Sequence, residues 1–412
     1  MAKRWRLIIV SSALLWGIIS QTLLAKVLYE SGVIPLSQQD QHVTISAYFA
    51  PTLVETGQGT ILLFTQGRIA SDRDNADKLI MLFSSDDKGK TWSKPRAISE
   101  HIGLSDMLSA VVDKQTGRVY IFFESSEQGN RKQRYMFSDD HGKSWSPFFA
   151  HQLKINNLRQ KNQNGFNIFQ PTAQAIQLNH SKFKHRIVVA GYGPWRMVGE
   201  QCSDKAMASY YFDPKQIEQV TMGQAIITDF TMYPSKQPQC KQRKLLVNHS
   251  LSLEKRPIQG EVSITELANG DLLMISRRNQ HAKGEHAYKH SSISQDGGAS
   301  WSSMRPVQSL PQPKCYGSLV NLIENDSDLL LYSTPQSTKR VDGRVYFSLD
   351  KGLSWSSKSV TANAQESFSY SNMLVLSDNS ILLIYNQGHH GAQGLKSLRF
   401  NSQWLTDFQV KG

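Results

Sequence analysis

The sequence predicts an all-β repeat fold, a β-propeller, on three observations. The phrase S-x-D-x-G-x-[S/T]-W occurs four times, at residues 85–92, 138–145, 294–301 and 348–355. A chance match to five constrained positions is about one in 10⁶ per site, so the phrase marks a structural repeat. The Trp-to-Trp intervals are 145 − 92 = 53, 301 − 145 = 156 and 355 − 301 = 54, and a four-stranded propeller blade takes about 40 to 50 residues. No stretch carries a sustained helical period, whereas short apolar runs bounded by glycine turns recur throughout.

The residues of the repeated box describe a tight hairpin. Its Asp accepts hydrogen bonds from the backbone of its own turn, its Gly takes a conformation closed to other residues, and its Trp anchors the turn in apolar surroundings. Nothing in the box calls for catalysis. It is a scaffold element.

Taken in order, the chain opens with Lys3, Arg4 and Arg6 before an apolar run over residues 7–24, the pattern of an export signal. Cleavage after Ala25 and an uncleaved membrane anchor both fit the length. The expected location is periplasmic, secreted or membrane-anchored outside the cytoplasm. Residues 26–42 read as a polar linker, and residues 43–412 as one propeller domain. Strands are predicted at 52–54, 60–64 and 78–83, the first two separated by a turn at Gly57 and Gly59. The same phrasing returns at 119–123, 272–275 and 329–332. Residues 208–213 read as a strand whose box has decayed, and residues 150–260, with Pro194 and Pro234, as inserted loop. Length alone allows six blades or seven.

Three cysteines make no disulfide framework. In an oxidising compartment Cys202 and Cys240 could pair, which leaves Cys315 as a buried thiol. The formal charge of +12 suits an anionic substrate or surface. The basic residues are scattered, with no motif or basic-aromatic alternation for nucleic acid.

Propeller chemistry sits in loops at one face, so charged and phenolic residues just after strands are the candidates. They are Arg68, Asp74, Glu261, Arg277, Arg340 and Tyr370. Together with the boxes, these residues resemble the exo-α-sialidases (neuraminidases), from about residue 47 to 406. Residues 65–68 followed by 74–80 are similar to that family's arginine and catalytic-aspartate loop, with Asp74 as acid/base and Asp72 as the fallback. Residues 260–277 resemble its hairpin, opening on Glu261 and closing on Arg277, which register favours over Arg278. Residues 339–346 resemble the strand carrying a further arginine, here Arg340, and residues 368–373 the loop with the nucleophile, here Tyr370. The resemblance implies a six-bladed propeller without metal or cofactor that cleaves terminal sialic acid from glycans with retention.

The chemistry is coherent. Sialic acid carries a carboxylate on its anomeric carbon, so a neutral phenol approaches more easily than a second carboxylate. With an ordinary phenol pKa of about 10, Tyr370 needs Glu261 to accept its proton. Asp74 would protonate the leaving oxygen and then activate water, while guanidinium forks hold the carboxylate. One position departs. Where the family reads Tyr-Arg-Ile-Pro, this chain has Tyr48, Phe49, Ala50 and Pro51. Losing a charged hydrogen-bonding group costs about 1.5 to 3 kcal/mol, or 10- to 150-fold in affinity. Hydrolysis, transfer or elimination, a different sugar, and a glycan-binding propeller without catalysis all remain open at this level.

Overall fold

The computed structural model describes residues 28–34, 39–40, 43–99, 104–127, 130–155, 170–196, 203–212, 226–233, 261–277, 288–302, 304–388 and 392–406. These residues form a β-propeller of five sheets. The first is built on strands Val43–Glu55, Ile61–Ile69 and Lys78–Ser85 with short flanking pairs at Gln39–Asp40 and Arg96–Ala97. Antiparallel register stacks Leu53 on Leu63 and Leu63 on Phe83. Side chains alternate between faces along a strand, and here both faces are covered. Leu53, Leu63 and Phe83 pack against Leu382 and Ile384 of the last sheet, whereas Val54, Leu62 and Leu82 meet Leu108, Ile121 and Phe123 on the other side. That is why residues 61–64 read Ile-Leu-Leu-Phe without polar alternation. Truncating one of them, such as Leu63, to alanine should cost about 2 to 5 kcal/mol.

The remaining sheets repeat this plan. Strands Val262–Glu266, Leu272–Ser276, Tyr288–Ser294 and Arg305–Pro311 form one. Strands Ser318–Glu324, Ser327–Pro335, Gly343–Ser348 and Ser356–Ser359 form the next. The last joins Ser371–Val375, Ile381–Asn386 and Leu395–Phe400 to Tyr29–Ile34.

Innermost segments are tied around the axis by a closed circuit of hydrogen bonds. Thr52 Oγ1 donates to the Leu108 carbonyl (3.3 Å) and Leu53 N to Asn372 Oδ1 (3.0 Å). Met373 N donates to Ser318 Oγ and Leu319 N to Ser263 Oγ, both at 2.8 Å. Thr172 Oγ1 donates to the Val262 carbonyl (2.8 Å), and Ala175 N returns the circuit to the Ala110 carbonyl (3.2 Å). Buried polar groups are thus satisfied across sheet boundaries.

The boxes have the predicted local structure. In the first, Asp87 accepts from Thr91 N (2.9 Å) and Thr91 Oγ1 (2.6 Å), and Ser85 Oγ accepts from Gly89 N (2.9 Å). Gly89 has φ +83°, and an added Cβ would lie 2.8 Å from Leu382 of the neighbouring sheet. Glycine is required twice there, for the backbone conformation and for the close approach.

Three expectations are corrected. Five sheets stand where six separate four-stranded blades were expected, because Phe149–Ile155 pairs in parallel with Ile226–Tyr233. Two edges satisfy each other's backbone groups, which merges residues 104–233 into one nine-stranded sheet. The region 150–260 is not simply an inserted loop, since it contains strands Ile187–Arg196, Ser203–Phe212 and Ile226–Tyr233. Residues 26–42 are not simply a linker either: Tyr29–Ile34 completes the last sheet, pairing Tyr29 with Phe400 and Ile34 with Leu395. The leader and the Cys202 and Cys240 pair lie outside the described residues.

Candidate active site

Strand Val262–Glu266 and strand Leu272–Ser276 form a hairpin whose register pairs Val262 with Ser276. Glu261 and Arg277 are the next residues out, and Arg277 N donates to the Glu261 carbonyl at 2.9 Å. Their side chains therefore leave the sheet together. Arg277 Nη1 lies 2.6 Å from each Glu261 carboxylate oxygen. The Glu261 side chain is 5% exposed and that of Arg277 17%. A buried pair of this kind tolerates no loss of one partner, because the other is left charged in a poor solvent.

Tyr370 completes the group. Its hydroxyl donates to Glu261 Oε1 at 2.8 Å and accepts from Arg277 Nη1 at 2.9 Å. Burial, and then the Glu261 charge, push the phenol well above its ordinary pKa. Burial also works against the Arg277 charge, but Glu261 and Tyr370 more than offset it and the guanidinium pKa is raised. At rest the phenol is protonated, between a base and a cation.

Phe49 forms the wall beside it. The Phe49 and Tyr370 ring centroids are 4.5 Å apart, and Tyr316 meets Tyr370 edge-on at 4.8 Å. Ala50, Met107, Ala173 and Cys315 close this apolar floor. Register shifts between Phe49 and Thr52, and Ala50 has φ +56°. This β-bulge is what turns the Phe49 ring toward Tyr370.

Arg68 and Asp74 stand on the far side of Phe49. The Arg68 guanidinium carbon is 3.9 Å from the Phe49 ring centroid, a stacking contact suited to a planar cation. Arg68 Nη2 bonds Asp74 Oδ1 at 2.9 Å, with the arginine side chain fully buried and the aspartate 77% exposed. Lys78 Nζ donates to the Asp74 carbonyl at 2.6 Å. Both strands of the hairpin hold the loop, and the Asp74 carboxylate faces solvent. Arg68 also donates to the Asp72 carbonyl and to Gln66, so it is engaged within its own hairpin.

Arg340 lies against the Tyr370 ring. Its guanidinium carbon lies 5.1 Å from the Tyr370 ring centroid, and Nη2 donates to the Lys314 carbonyl at 2.8 Å. The structure thus brings all six predicted residues into one run of contacts: Asp74, Arg68, Phe49, Tyr370 with Glu261 and Arg277, then Arg340. Direct hydrogen bonds within it join Glu261, Arg277 and Tyr370, and separately Arg68 and Asp74.

Sequence reasoning missed Lys289. It is fully buried, its Nζ donates to the Cys315 carbonyl, and continuing the Ser276–His290 register sets it opposite Arg277. Burial pushes its pKa down to about 8. A lysine in a strand of a sheet covered on both faces was the available signal. Cys315 is a buried free thiol, as expected.

Known proteins resemble this chain in sequence and in fold. The profile of the BNR repeat-like domain matches residues 33–179 and 103–384. The chain belongs to the BNR-repeat sialidase family. Within that family it is 23% identical over 373 residues to a sialidase of Micromonospora viridifaciens, covering 87% of this chain and 52% of that one. It is 25% identical over 357 residues to a sialidase of Bacteroides fragilis (strain YCH46), covering 82% and 60%. The chain therefore spans little more than half the length of these two relatives. The intramolecular trans-sialidase from Ruminococcus gnavus, solved with oseltamivir carboxylate, shares the fold with a TM-score of 0.62 at 15% identity, covering 90% of this chain and 98% of that one.

Proposed function

We propose that this chain is a retaining exo-glycosidase that removes a terminal sialic acid, or a related nonulosonic acid, from glycans. The observation that carries the reading is the buried Tyr370, Glu261 and Arg277 group, with 2.8 and 2.9 Å hydrogen bonds on the phenol oxygen. A tyrosine bonded to a carboxylate and a guanidinium in an apolar floor is an activated-nucleophile arrangement.

In this reading the Tyr370 oxygen attacks the anomeric carbon while its proton passes to Glu261, and the glycosidic C–O bond breaks. Arg277 stabilises negative charge gathering on the phenol oxygen. Asp74, exposed at the rim, supplies a proton to the departing oxygen. In the second half, Asp74 takes a proton from water, water attacks the sugar, and the Tyr370–carbon bond breaks with return of the proton from Glu261. Arg277 and Arg340 hold the sugar's carboxylate. Phe49 removes a third arginine from this clamp, and Arg68, bonded to Asp74, Asp72 and Gln66, is turned into its own hairpin. The clamp is thus weaker than that of the family pattern. The same nucleophile serves hydrolysis or intramolecular transfer, the reaction named for the Ruminococcus gnavus relative.

The basic start followed by an apolar run supports export as the route by which the enzyme reaches its glycans.

Incubation with a fluorogenic α-sialoside between pH 4 and 8 tests the activity. Release of the fluorophore, lost in Tyr370→Phe, is the expected result, and mass analysis of the sugar separates hydrolysis from transfer. No release at high enzyme concentration would sink the reading.

A further inference from the structure

Lys289 is a buried cation that the mechanism above leaves without a task. Strand Tyr288–Ser294 pairs His290 with Ser276, so one step further along Lys289 stands opposite Arg277, as Arg277 stands opposite Glu261. Three charged side chains form one row across three strands, and side chains in such a row project to the same face. Beyond Lys289 the next strand leaves register. Lys289 pairs with Val307 but Tyr288 with Pro311, with Gln308, Ser309 and Leu310 as extra residues. A bulge of this kind re-aims the chain, and here residues 312–316 follow it to the end of the row. The Lys289 side chain is fully buried, its Nζ donates to the Cys315 carbonyl, and Nζ lies 5.9 Å from the centre of the Tyr332 ring. Among the described residues no carboxylate is within ion-pair distance of it.

What Lys289 holds is the segment that supports Tyr370. The Lys314 carbonyl accepts from Arg340 Nη2 at 2.8 Å, the Cys315 carbonyl accepts from Lys289, and the Tyr316 ring meets Tyr370 edge-on with centroids 4.8 Å apart. Three consecutive residues therefore connect two cations to the phenol. Tyr316 Oη reaches on to the Pro51 carbonyl at 3.4 Å, next to the bulge that carries Phe49. The segment is strained, since Lys314 has φ +60°, a left-handed conformation that a lysine keeps only where its surroundings fix it. Lys314 N is engaged by Gln312 Oε1 at 3.1 Å, and Gly317 N by Tyr332 Oη at 3.1 Å. An added Cβ at Gly317 would fall 1.9 Å from the Ser333 carbonyl oxygen, so the chain beyond Tyr316 has little room to shift.

We propose that Lys289 is a positioning residue for the nucleophile, its ammonium fixing the strained Lys314–Tyr316 segment that seats the Tyr370 ring against Glu261 and Arg277. The inference rests on the glycosidase reading above and adds a control that lies outside the reacting atoms. A neutral amide would hold a carbonyl without the cost of burying a charge. An ammonium makes a bond about twice as strong, and one that weakens when its proton leaves. The groups facing Lys289 set where that happens. Burial pushes its pKa down, Cys315 and Glu261 push it up, Arg277 and Arg340 push it down, and the result is about 8. Burial raises the facing Cys315 thiol and the Tyr316, Tyr332 and Tyr370 phenols, so these stay protonated there. The charged form of Lys289 prevails below that pH and is lost as pH rises through it, so the hold is full near pH 6 and fades through about pH 8.

Lys289→Met keeps the length of the side chain and removes its charge, while Lys289→Arg keeps a charge that persists in alkali. Thermal melts verify that both fold, and kcat and KM on the fluorogenic α-sialoside are then measured from pH 5 to 9.5. Dividing the wild-type kcat by that of Lys289→Met cancels every ionisation that the two proteins share. The expected ratio is about ten near pH 6, the scale of one charged hydrogen bond, and it falls through about pH 8 while KM stays within about twofold. Lys289→Arg should keep kcat within about threefold of the wild type and lose the fall near pH 8. A ratio that is flat across pH 8, or a loss confined to KM, would overturn the proposal and leave the glycosidase reading intact. If the variants do not fold, or if the wild type releases nothing and the glycosidase reading falls, NMR of the wild type with 13C-labelled tyrosine decides. The Tyr316 resonance, assigned with Tyr316→Phe, should shift with a midpoint near pH 8, and a resonance unmoved between pH 6 and 9 refutes the hold.

Discussion

The box turns and the candidate site are built from the same interaction, a carboxylate saturated with hydrogen bonds, on opposite principles of assembly. Asp140 is satisfied by Ser144 N, Ser144 Oγ and Ser138 Oγ, all inside residues 138–144. The other three boxes repeat those bonds. Glu261, by contrast, is satisfied by Arg277 across a hairpin and by Tyr370, 109 residues away. The loops beneath Tyr370 are pinned by the Ala50–Asn386 contact over 336 residues. A turn closes by itself and four copies are independent. The site exists only when the ring is closed, so its parts should fail together.

The largest expected effect tests that coupling. Glu261→Gln should lower kcat on an α-sialoside by about 10²- to 10⁴-fold, the usual loss on removing a general base, and Tyr370→Phe by at least as much. The double variant should be no slower than the worse single, because the pair acts as a unit. Steady-state kinetics on the three proteins check this, and multiplied losses would break the comparison.

Phe49→Arg comes next. It returns a guanidinium to the wall beside Tyr370 and should tighten binding of a sialic acid analogue with a free carboxylate by about 10- to 150-fold, with little gain for its methyl ester. Titration calorimetry with both ligands reads the difference, and equal gains would show that charge is not what the wall lacks.

The boxes should behave in the contrary way. Asp87→Asn and Asp140→Asn should each cost about 1 kcal/mol, add within about 0.5 kcal/mol when combined, and leave kcat unaltered. Denaturant melts of the singles and the double are the measurement. Coupling between them would show that the turns are not independent.

The smallest effect is the dependence on acid. Bonds from Ser144 hold the Asp140 carboxyl down from 3.8 to about 2. A carboxyl whose folded pKa is depressed contributes stability that is present above its unfolded value and lost as pH falls through the folded one. Melting temperature should therefore drop between about pH 4 and pH 2, and Asp140→Asn should flatten part of that slope. An identical slope in the variant would mean the loss lies elsewhere.

The fold class was legible because the box is local. Serine, aspartate, glycine and tryptophan within eight residues fix one turn each, and the sequence needs no partner to show it. The joining of sheets was not legible, since nothing in residues 149–155 or 226–233 announces a parallel edge pairing. The strand at Tyr29–Ile34 was missed for a related reason. Its first five residues, Tyr29, Glu30, Ser31, Gly32 and Val33, lie on an outer edge and are only half-buried or exposed, so the apolar signal is weak. At the site, the Glu261 and Arg277 pairing could be read from hairpin register, whereas the engagement of Arg68 by Asp74 and the burial of Lys289 depend on how the third dimension closes over them.

The Tyr29–Ile34 strand also has a consequence in time. Leu28 N bonds Asn401 Oδ1 across 373 residues, so the last sheet draws its outer strand from the beginning of the described chain and its other three from the end. During synthesis that strand must wait, unpaired, until nearly all of the propeller has left the ribosome. Contacts of such long range slow the final closure. Once made, they act as a clasp: opening the ring at this seam means stripping a whole strand from its neighbour. The protein's lifetime under heat or protease is then a matter of unzipping rate, and the clasp is the place to alter that rate without touching a single residue of the site.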